Sequence, residues 1–543
     1  MKQALFLIIA VFLLFSCQKK EEIDLLVSGA KIYTVNDDFE VAKAMAINNG
    51  KIIALAGDIE ELKIRYKSKR IYEAKGKFIL PGFIDAHAHF YGLGLQQKKV
   101  NLTGTNSFTE VVKRITKFQK ENQVDFITGR GWDQNDWEKQ NFPTKDTLDK
   151  LFPNTPIAIT RIDGHALLAN QKALDMANIT KNSTIEGGEF YKKNGQLTGV
   201  LIDNAMSGIQ NIIPEPNKKD KIEALKAAEE ITLSYGLTTI VDAGLNKNTI
   251  QLIDSLQQAG KLKTRLYTMV SSNPEDLDYF LNQGIYKTER LHVGSVKAYA
   301  DGALGSRGAA LKKPYSDKHK HFGALLMSPQ DFKKLATRVY KSEYQLNTHA
   351  IGDSANVLVL KTYDSLLSKN EDRRWRVEHA QIIDKPDFDY FGKNIIPSVQ
   401  PTHATSDMYW AEKRIGKKRL KNAYAYKKLL EKAGLIALGT DFPIEKVSPF
   451  LTFYAAVARK DAKAWPENGF QPENALTREE ALRGMTIWAA YGNFEEKEKG
   501  SLEVGKMADF IVLDHDIMKT PIENILTTKV EATFINGEKV FAN

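Results

Sequence analysis

The stretch FILPGFIDAHAH, residues 78–89, is a short apolar run that ends in two histidines. Seven similar runs follow it, with amphipathic segments between them. Because strands buried on both faces are nearly continuous apolar runs, this rhythm predicts parallel strands wrapped by helices. The seven later runs are residues 237–244, 265–270, 293–301, 345–352, 375–380, 395–401 and 435–443. Eight strand–helix alternations predict an α/β fold, a TIM-like (β/α)8 barrel.

The rest of the chain predicts two additions to this barrel and the helices that wrap it. The gap after the first strand, about residues 101–220, is too long for a crossover and predicts an inserted subdomain within a barrel of residues 80–490. Residues 23–79 and 491–543 carry short β-like runs and turn residues, which predict one small β-sandwich formed from both chain ends. The amphipathic segments predict helices at residues 221–235, 249–259, 274–282, 329–344, 353–368 and 422–433.

Composition excludes some classes of protein. Apolar residues make up 43% of the 543 residues and charged residues 26%, as in a globular protein with a large core. The net charge of +9 comes from lysines scattered along the chain, and no zinc-finger spacing, P-loop or dinucleotide motif accompanies it. We therefore expect no nucleic-acid partner.

The N-terminus predicts export and lipidation. Lys2 precedes an apolar run at residues 4–15 that is short for a bilayer span, and Cys17, the single cysteine, follows it. This arrangement resembles a bacterial lipoprotein signal, so residues 1–22 are interpreted as signal and tether. A lipid on Cys17 would anchor the chain to the cell envelope, facing the periplasm or the outer surface. A buried thiol is the alternative.

Five of the eight predicted strands end in a residue that can bind a metal ion. His87 and His89 are two apart on one strand, so both side chains point the same way. The carboxyl ends of all strands in a closed parallel barrel meet on one face, which brings distant residues together. A single histidine here would be an ordinary core residue, but the set predicts a metal centre. The other members are Lys297, His349, His379 and Asp441.

Several motifs together resemble the amidohydrolase superfamily. They are PGFIDAHAH at residues 81–89, Lys297 with DGALGSR at 301–307, HAIGD at 349–353, EHAQ at 378–381 and GKMAD at 505–509. The resemblance is to the amidohydrolase-3 group, which includes N-substituted formamide deformylases and YtcJ-like metal-dependent hydrolases. It covers nearly the whole chain after the signal segment.

The resemblance implies two divalent metal ions, with zinc the first choice, and a Lys297 carboxylated by carbon dioxide. The lysine carbamate would bridge the two ions, because an anionic oxygen ligand suits cations that an ammonium would repel. A structural ion pair is the alternative role of Lys297. By analogy with the family, one ion is bound by His87, His89 and Asp441, and the other by His349 and His379.

The expected activity is hydrolysis of a C–N bond in a small amide, N-formyl or N-acyl compound. Water shared by two cations loses a proton near neutral pH, which predicts a metal-bridging hydroxide as nucleophile. Asp441 is expected to take that proton and to deliver it to the leaving nitrogen.

Five further residues are candidates for the substrate pocket, each with a structural alternative. His165 is expected to bind the substrate carbonyl or the developing oxyanion, or else to be a loop or core histidine. Trp132 and Asp133 would line the substrate pocket or, alternatively, only make packing contacts within a loop. Arg307 would grip a substrate carboxylate or tie its own loop to the barrel, and His403 is a weaker contact candidate.

Two other functions stay open. A one-metal deaminase of the same superfamily would use similar histidines and a final aspartate, but Lys297 and the lack of a glutamate after His349 disfavour it. A lipoprotein that binds a metal or ligand without turnover would have no need of the proton-transfer residue Asp441. Homodimer formation and the exact substrate are also open.

Overall fold

Strands and helices alternate along most of the chain. The computed structural model describes residues 20–162, 164, 166–185, 188–368, 371–392 and 394–543. The strands, numbered in chain order, are β1 (Glu21–Ser28), β2 (Lys31–Tyr33), β3 (Val41–Ala42), β4 (Ala44–Asn48), β5 (Lys51–Ala56), β6 (Tyr66–Glu73), β7 (Phe78–Pro81), β8 (Phe83–Ala88), β9 (Val100–Asn101), β10 (Ile127–Trp132), β11 (Ile157–Arg161), β12 (Ala166–Ala169), β13 (Gly188–Lys193), β14 (Gln196–Asp203), β15 (Leu237–Leu245), β16 (Arg265–Ser271), β17 (Tyr286–Lys287), β18 (Leu291–Tyr299), β19 (Gln345–Ala350), β20 (Trp375–His379), β21 (Ile395–Val399), β22 (Ala437–Leu438), β23 (Phe510–Leu513), β24 (Val530–Ile535) and β25 (Glu538–Ala542).

Several barrel helices begin at a residue whose side chain caps the first turn. Asn246, Asn273 and Ser328 each accept a hydrogen bond from a backbone N–H three residues on, which satisfies a donor left free at a helix start. The α-helices are Ile59–Arg65, Phe90–Gln97, Phe108–Asn122, Asp146–Leu151, Gln171–Met176, Ser207–Gln210, Lys218–Ser234, Lys247–Gln258, Pro274–Gln283, Pro329–Tyr340, Asp353–Leu366, Pro401–Asp407, Ala411–Leu420, Tyr426–Ala433, Pro449–Ala458, Arg478–Gly484 and Ile487–Gly492.

The predicted parallel barrel is confirmed. Its eight strands lie in the order β8, β15, β16, β18, β19, β20, β21 and β22, and each pairs in parallel with its neighbour. Two backbone hydrogen bonds bridge the seam between the last strand and the first: Asp441 N–H donates to His87 at 2.8 Å, and His89 N–H donates to Phe442 at 2.8 Å. The seam therefore joins three of the predicted ligands directly.

The first and last predicted strands were wrong in detail. Residues 78–89 form two strands, and β7 belongs to a different sheet from β8. Gly82 separates them where β15 approaches so closely that a side-chain carbon at this position would lie 2.3 Å from Thr238 Oγ1. The predicted strand at 435–443 shrinks to β22, since the chain turns at Asp441, whose φ is 61°. The predicted helices 329–344 and 422–433 are also shorter, ending at Tyr340 and beginning at Tyr426.

Both chain ends build the predicted sandwich. One sheet has the order β25, β24, β23, β7, β2, β3, and the other has β5, β4, β1, β6. Their facing side chains share one apolar core, in which Leu25 and Met45 of one sheet pack with Phe510 and Phe534 of the other. The C-terminal strands are thus needed to bury the apolar face of the N-terminal ones.

Tyr91–Ala227 is a compact unit of its own, and the barrel and sandwich form the other unit. The predicted insertion, about residues 101–220, lies inside Tyr91–Ala227. It contains a mixed sheet of order β13, β14, β12, β11, β10, β9, with apolar cores around Trp132 and around Leu174.

Within the described residues, the helices are all too short or too polar to cross a bilayer. The predicted lipid-anchor residue Cys17 lies outside the described residues. The lipid anchor and the envelope location stay predictions.

Candidate metal centre

The six predicted metal ligands lie at one end of the barrel. Each is on or just after the carboxyl end of a barrel strand, and the strands that position them are β8, β18, β19, β20 and β22. His87, Lys297, His379 and Asp441 are buried, and His89 is partly exposed. Solvent therefore reaches the centre at His89 and, to a smaller extent, at His349.

The ligand atoms of these residues converge. One atom each of His87, His379 and Asp441 lie within 4.8 Å of one another. His89 Nε2 lies 3.2 Å from Asp441 Oδ1, and the rings of His349 and His379 are 4.5 Å apart between centroids. Lys297 Nζ lies 3.0 Å from His87 Nε2.

Buried polar atoms show that this cluster suits a cation. His349 Nε2 is buried and makes no hydrogen bond among the described residues, and the buried Asp441 Oδ1 faces the ring nitrogens of His89 at 3.2 Å and His87 at 3.8 Å. A buried polar atom without a hydrogen bond is rare in a folded protein unless a ligand, ion or water satisfies it. The other histidines present Nε2 to the cluster because Nδ1 is engaged: His87 with Glu378, His379 with Gln400, and His89 with the Ala243 carbonyl. This is how metal-binding histidines are oriented in proteins.

A buried ion pair stands behind His87. Glu378 Oε2 lies 2.5 Å from His87 Nδ1, and Arg376 Nε lies 2.7 Å from Glu378 Oε1, with all three side chains almost completely buried. Burial alone would raise the pKa of Glu378, but Arg376 and His87 outweigh it and lower that pKa to about 2. The ionised carboxylate holds a proton on His87 Nδ1 and leaves the Nε2 lone pair for a cation.

Burial favours the uncharged form of the basic groups of the cluster. Burial, and after it the positive charge of Lys297, together lower the pKa of His87 to about 4 and that of His349 to about 3. Burial also lowers the pKa of Lys297 to about 8. Neutral imidazole is the form that binds metals, and a neutral amine is the form that reacts with carbon dioxide.

Asp441 is held in an uncommon backbone conformation. Its φ is 61° and that of His379 is 71°, in the left-handed region that costs such residues about 1–3 kcal/mol each. Asp85 supports the turn before Asp441, because its carboxylate accepts hydrogen bonds from Thr440 N at 3.0 Å, Thr440 Oγ1 at 2.7 Å and His87 N at 3.2 Å. One carboxylate thus ties the first barrel strand to the last.

The sequence analysis did not single out Asp85, Glu378 or Gln400. Asp85 lies two residues before His87, so the alternation of a strand was an available signal. Glu378 and Gln400 contact histidines that are far away in the chain or on another strand, and no local pattern indicates such contacts.

His403 lies against the predicted ligands. Its Nε2 is 3.4 Å from Asp441 Oδ2, and its ring stacks on that of His379 with 5.7 Å between centroids. Burial lowers the pKa of His403, but the Asp441 carboxylate outweighs it and raises that pKa to about 9. His403 therefore occupies one oxygen of Asp441 and leaves the other facing the cluster. A contact of His403 with substrate stays a prediction.

The remaining candidates have structural contacts. Arg307 lies 3.1 Å and 2.9 Å from the two oxygens of Asp317 through Nε and Nη2, an arrangement that ties the loop after β18. Its grip on a substrate carboxylate stays a prediction, and so does every role of His165, which lies outside the described residues.

Trp132 and Asp133 hold the Tyr91–Ala227 unit together. Trp132 is fully buried in an apolar core, and its Nε1 donates to the Ile159 carbonyl at 2.9 Å. Asp133 accepts from Asn135 N–H and pairs with Arg161 at 2.6 Å. These contacts explain both residues by packing, and pocket roles for them stay predictions.

Comparison with known proteins identifies the family. The model of a family described as the amidohydrolase family matches residues 70–541, which include the whole barrel and the predicted ligands. The chain belongs to the amidohydrolase family. The resemblance seen in the sequence motifs is thus confirmed.

Three relatives match this amidohydrolase along nearly its whole length. LONG AFTER FAR-RED 3 of Arabidopsis thaliana is 32% identical over 95% of this chain and 91% of its own length. YtcJ of Bacillus subtilis (strain 168), named as an amidohydrolase, is 31% identical over 94% and 98%. The N-substituted formamide deformylase of Arthrobacter pascens is 25% identical over 95% and 97%.

A solved structure has the same fold. The crystal structure of a metal-dependent hydrolase from Pyrococcus furiosus superposes with a TM-score of 0.77 and 28% identity, over 91% of this chain and 100% of that chain. This amidohydrolase is therefore a metal-dependent hydrolase, and its buried histidine and aspartate cluster is the candidate metal site.

Proposed function

We propose that this amidohydrolase hydrolyses the C–N bond of a small amide, N-formyl or N-acyl compound. The observation that carries the proposal is the buried cluster of His87, His379 and Asp441, with Lys297 Nζ 3.0 Å from His87 Nε2. A full-length relative named N-substituted formamide deformylase supports a C–N bond as the target.

The cluster has donors for two divalent ions, with zinc the best match to its nitrogen and oxygen atoms. The residues that would hold them are His87, His89, His349, His379 and Asp441, with Lys297 between. When bound, the ions supply Lewis acidity, which polarises a carbonyl and lowers the pKa of water.

We also propose that Lys297 is carboxylated. Its neutral amine adds to the carbon of carbon dioxide: an N–C bond forms, one C–O π bond breaks and the nitrogen releases one proton, so that a neutral amine becomes a buried anion. The proposal is supported by the position of Nζ against the His87 ring and by the complete burial of the lysine, which disfavours the ammonium form.

Asp441 is the proton carrier in this proposal. Its Oδ2 lies 3.4 Å from His403 Nε2, whereas Oδ1 lies within the cluster, 3.2 Å from His89 Nε2 and 3.8 Å from His87 Nε2. The Oδ1 side can accept a proton from the attacking water and return it to the leaving nitrogen, so that the products are a carboxylic acid and an amine.

The test is a panel of N-formyl and N-acyl amines with the zinc-loaded whole chain, in which released amine is measured. Asp441→Asn should lower turnover about 100-fold or more while it lowers bound zinc much less, because an amide oxygen can still bind metal but cannot carry the proton. Intact zinc content without hydrolysis of any panel member would contradict the proposal. Release of ammonia from aminated ring compounds would instead support the deaminase.

A further inference from the structure

Tyr299 borders the metal centre. It is the last residue of β18, and it is 41% exposed although the eight residues before it in that strand are buried. Lys297 lies two residues earlier, so both side chains point to the same face of the strand. The Tyr299 ring centroid is 5.7 Å from that of His349 and 5.1 Å from Lys297 Nζ.

The Tyr299 hydroxyl is free to bind a ligand. In the part of the chain that the structure describes, no hydrogen bond involves it, whereas the buried hydroxyls of Tyr267, Tyr363 and Tyr424 are all paired. Gly244 faces it, and a side-chain carbon at Gly244 would lie 3.4 Å from the hydroxyl oxygen. A larger side chain at position 244 would therefore contact the hydroxyl.

The position of Tyr299 is opposite to that of Asp441. Tyr299 ends the fourth strand of the barrel, and Asp441 follows the eighth. Three strands lie between them in each direction around the closed ring, so the two side chains face the centre from opposite sides. A phenol donates a hydrogen bond and a carboxylate accepts a proton, and hydrolysis of an amide needs both groups at different atoms of the substrate.

We propose that Tyr299 is a catalytic residue whose hydroxyl donates a hydrogen bond to the carbonyl oxygen of the amide substrate. The proposal rests on the proposed hydrolytic function. As water adds to the carbonyl carbon, negative charge develops on that oxygen and the hydrogen bond strengthens. The phenol keeps its proton throughout. The C–N bond then breaks, and the nitrogen takes the proton held by Asp441.

Tyr299→Phe isolates the hydroxyl, because the ring and its packing against His349 remain. Loss of one donor to a developing oxyanion lowers kcat about 100- to 1000-fold, and the same loss is expected here with unchanged zinc content. A ring that acts only as a wall would leave kcat unchanged in this variant.

A binding measurement gives a second readout that needs no turnover. Methylphosphonate is a tetrahedral anion, and its binding to the zinc-loaded protein can be followed by calorimetry. Tyr299→Phe should weaken this binding about tenfold, as expected for one hydrogen bond to a charged group. Tyr286→Phe is the matched control, since its exposed hydroxyl pairs with Asp254 at 2.9 Å beside the start of β18. It should change neither readout.

The outcomes separate the two proposals. If the wild type hydrolyses a panel member and Tyr299→Phe matches it in kcat and in methylphosphonate binding, the role of Tyr299 is overturned while the hydrolytic function stands. Loss of zinc in Tyr299→Phe would likewise overturn it and make Tyr299 structural. If the wild type hydrolyses no panel member but binds methylphosphonate more tightly than Tyr299→Phe does, the hydrolytic function fails. Only a hydrogen bond from Tyr299 to a bound anion then remains. Absence of both activities overturns both proposals.

Discussion

Replacing Glu378 with glutamine should weaken metal binding, although Glu378 is not one of the predicted ligands. The carboxylate holds the proton of His87 on Nδ1, so that Nε2 faces the cluster as a lone pair. In Glu378→Gln, the amide oxygen can still accept from Arg376, but the amide N–H₂ would then face His87 Nδ1. The imidazole must accept there, and its proton moves to Nε2, where it opposes a cation.

The size of the effect follows from burial and geometry. Loss of a group that orients a metal-binding histidine weakens metal affinity about 10- to 100-fold, and the tautomer change places this variant near the upper end. Breaking a buried ion pair by removing one partner costs about 3–5 kcal/mol. Arg376 keeps hydrogen bonds to Ser398 Oγ at 2.8 Å and Asn493 Oδ1 at 3.2 Å, so the lower end of that range is expected.

The assay pairs this variant with Asp509→Asn. Asp509 accepts from Arg265 at 2.6 Å in an equally buried ion pair at the start of β16, away from the cluster. Both variants should lower the denaturant midpoint of the metal-free protein by similar amounts. Zinc affinity, measured by competition with a chromogenic chelator, should fall only in Glu378→Gln.

Two results would refute this reasoning. Wild-type zinc affinity in Glu378→Gln would show that the carboxylate does not set the tautomer of His87. An equal loss of zinc affinity in Asp509→Asn would show that general destabilisation, and not the orientation of His87, governs metal binding.

Two further predictions concern other buried charges. If Lys297 carries the proposed carbamate, Lys297→Ala should lose most bound metal and activity, because an anionic ligand disappears. Acetate or propionate should then restore part of both in proportion to its concentration, and an unmodified Lys297 in a metal-loaded, active crystal would contradict the carbamate. For Glu495, burial raises the pKa, but Lys499 and His292 outweigh it and lower it to about 2 from an ordinary value of 4.5. The stability this provides, about 3 kcal/mol, is present above pH 4.5 and lost as the pH falls toward 2. Glu495→Gln should remove this part of the pH dependence of the denaturant midpoint. If the midpoint of the variant falls between pH 4.5 and 2 as that of the wild type does, the contacts of Glu495 with Lys499 and His292 contribute no stability.

The barrel was predictable because its strands are local patterns. Buried parallel strands are continuous apolar runs, and the ligand candidates stand at their carboxyl ends, where the chain enters a loop. The structure brings together all six of them, including His349 and His379, which lie on neighbouring strands. Their roles as ligands stay predictions. Pocket residues were harder to infer, because a tryptophan such as Trp132 is equally typical of a pocket wall and of an apolar core.

Sequence alone determined the alternation of strands and helices in the barrel, the shared face of His87 and His89, and the family of the chain, since these depend on residues close together along the chain. Tertiary structure decided what depends on distant partners. It separates β7 from β8, because β7 pairs with β23, which lies more than four hundred residues later in the chain. It also places Glu378 beside a histidine 291 residues away, and it brings Gly244 next to the hydroxyl of Tyr299. The energy of such contacts comes from burial and charge pairing, which no window of local sequence contains.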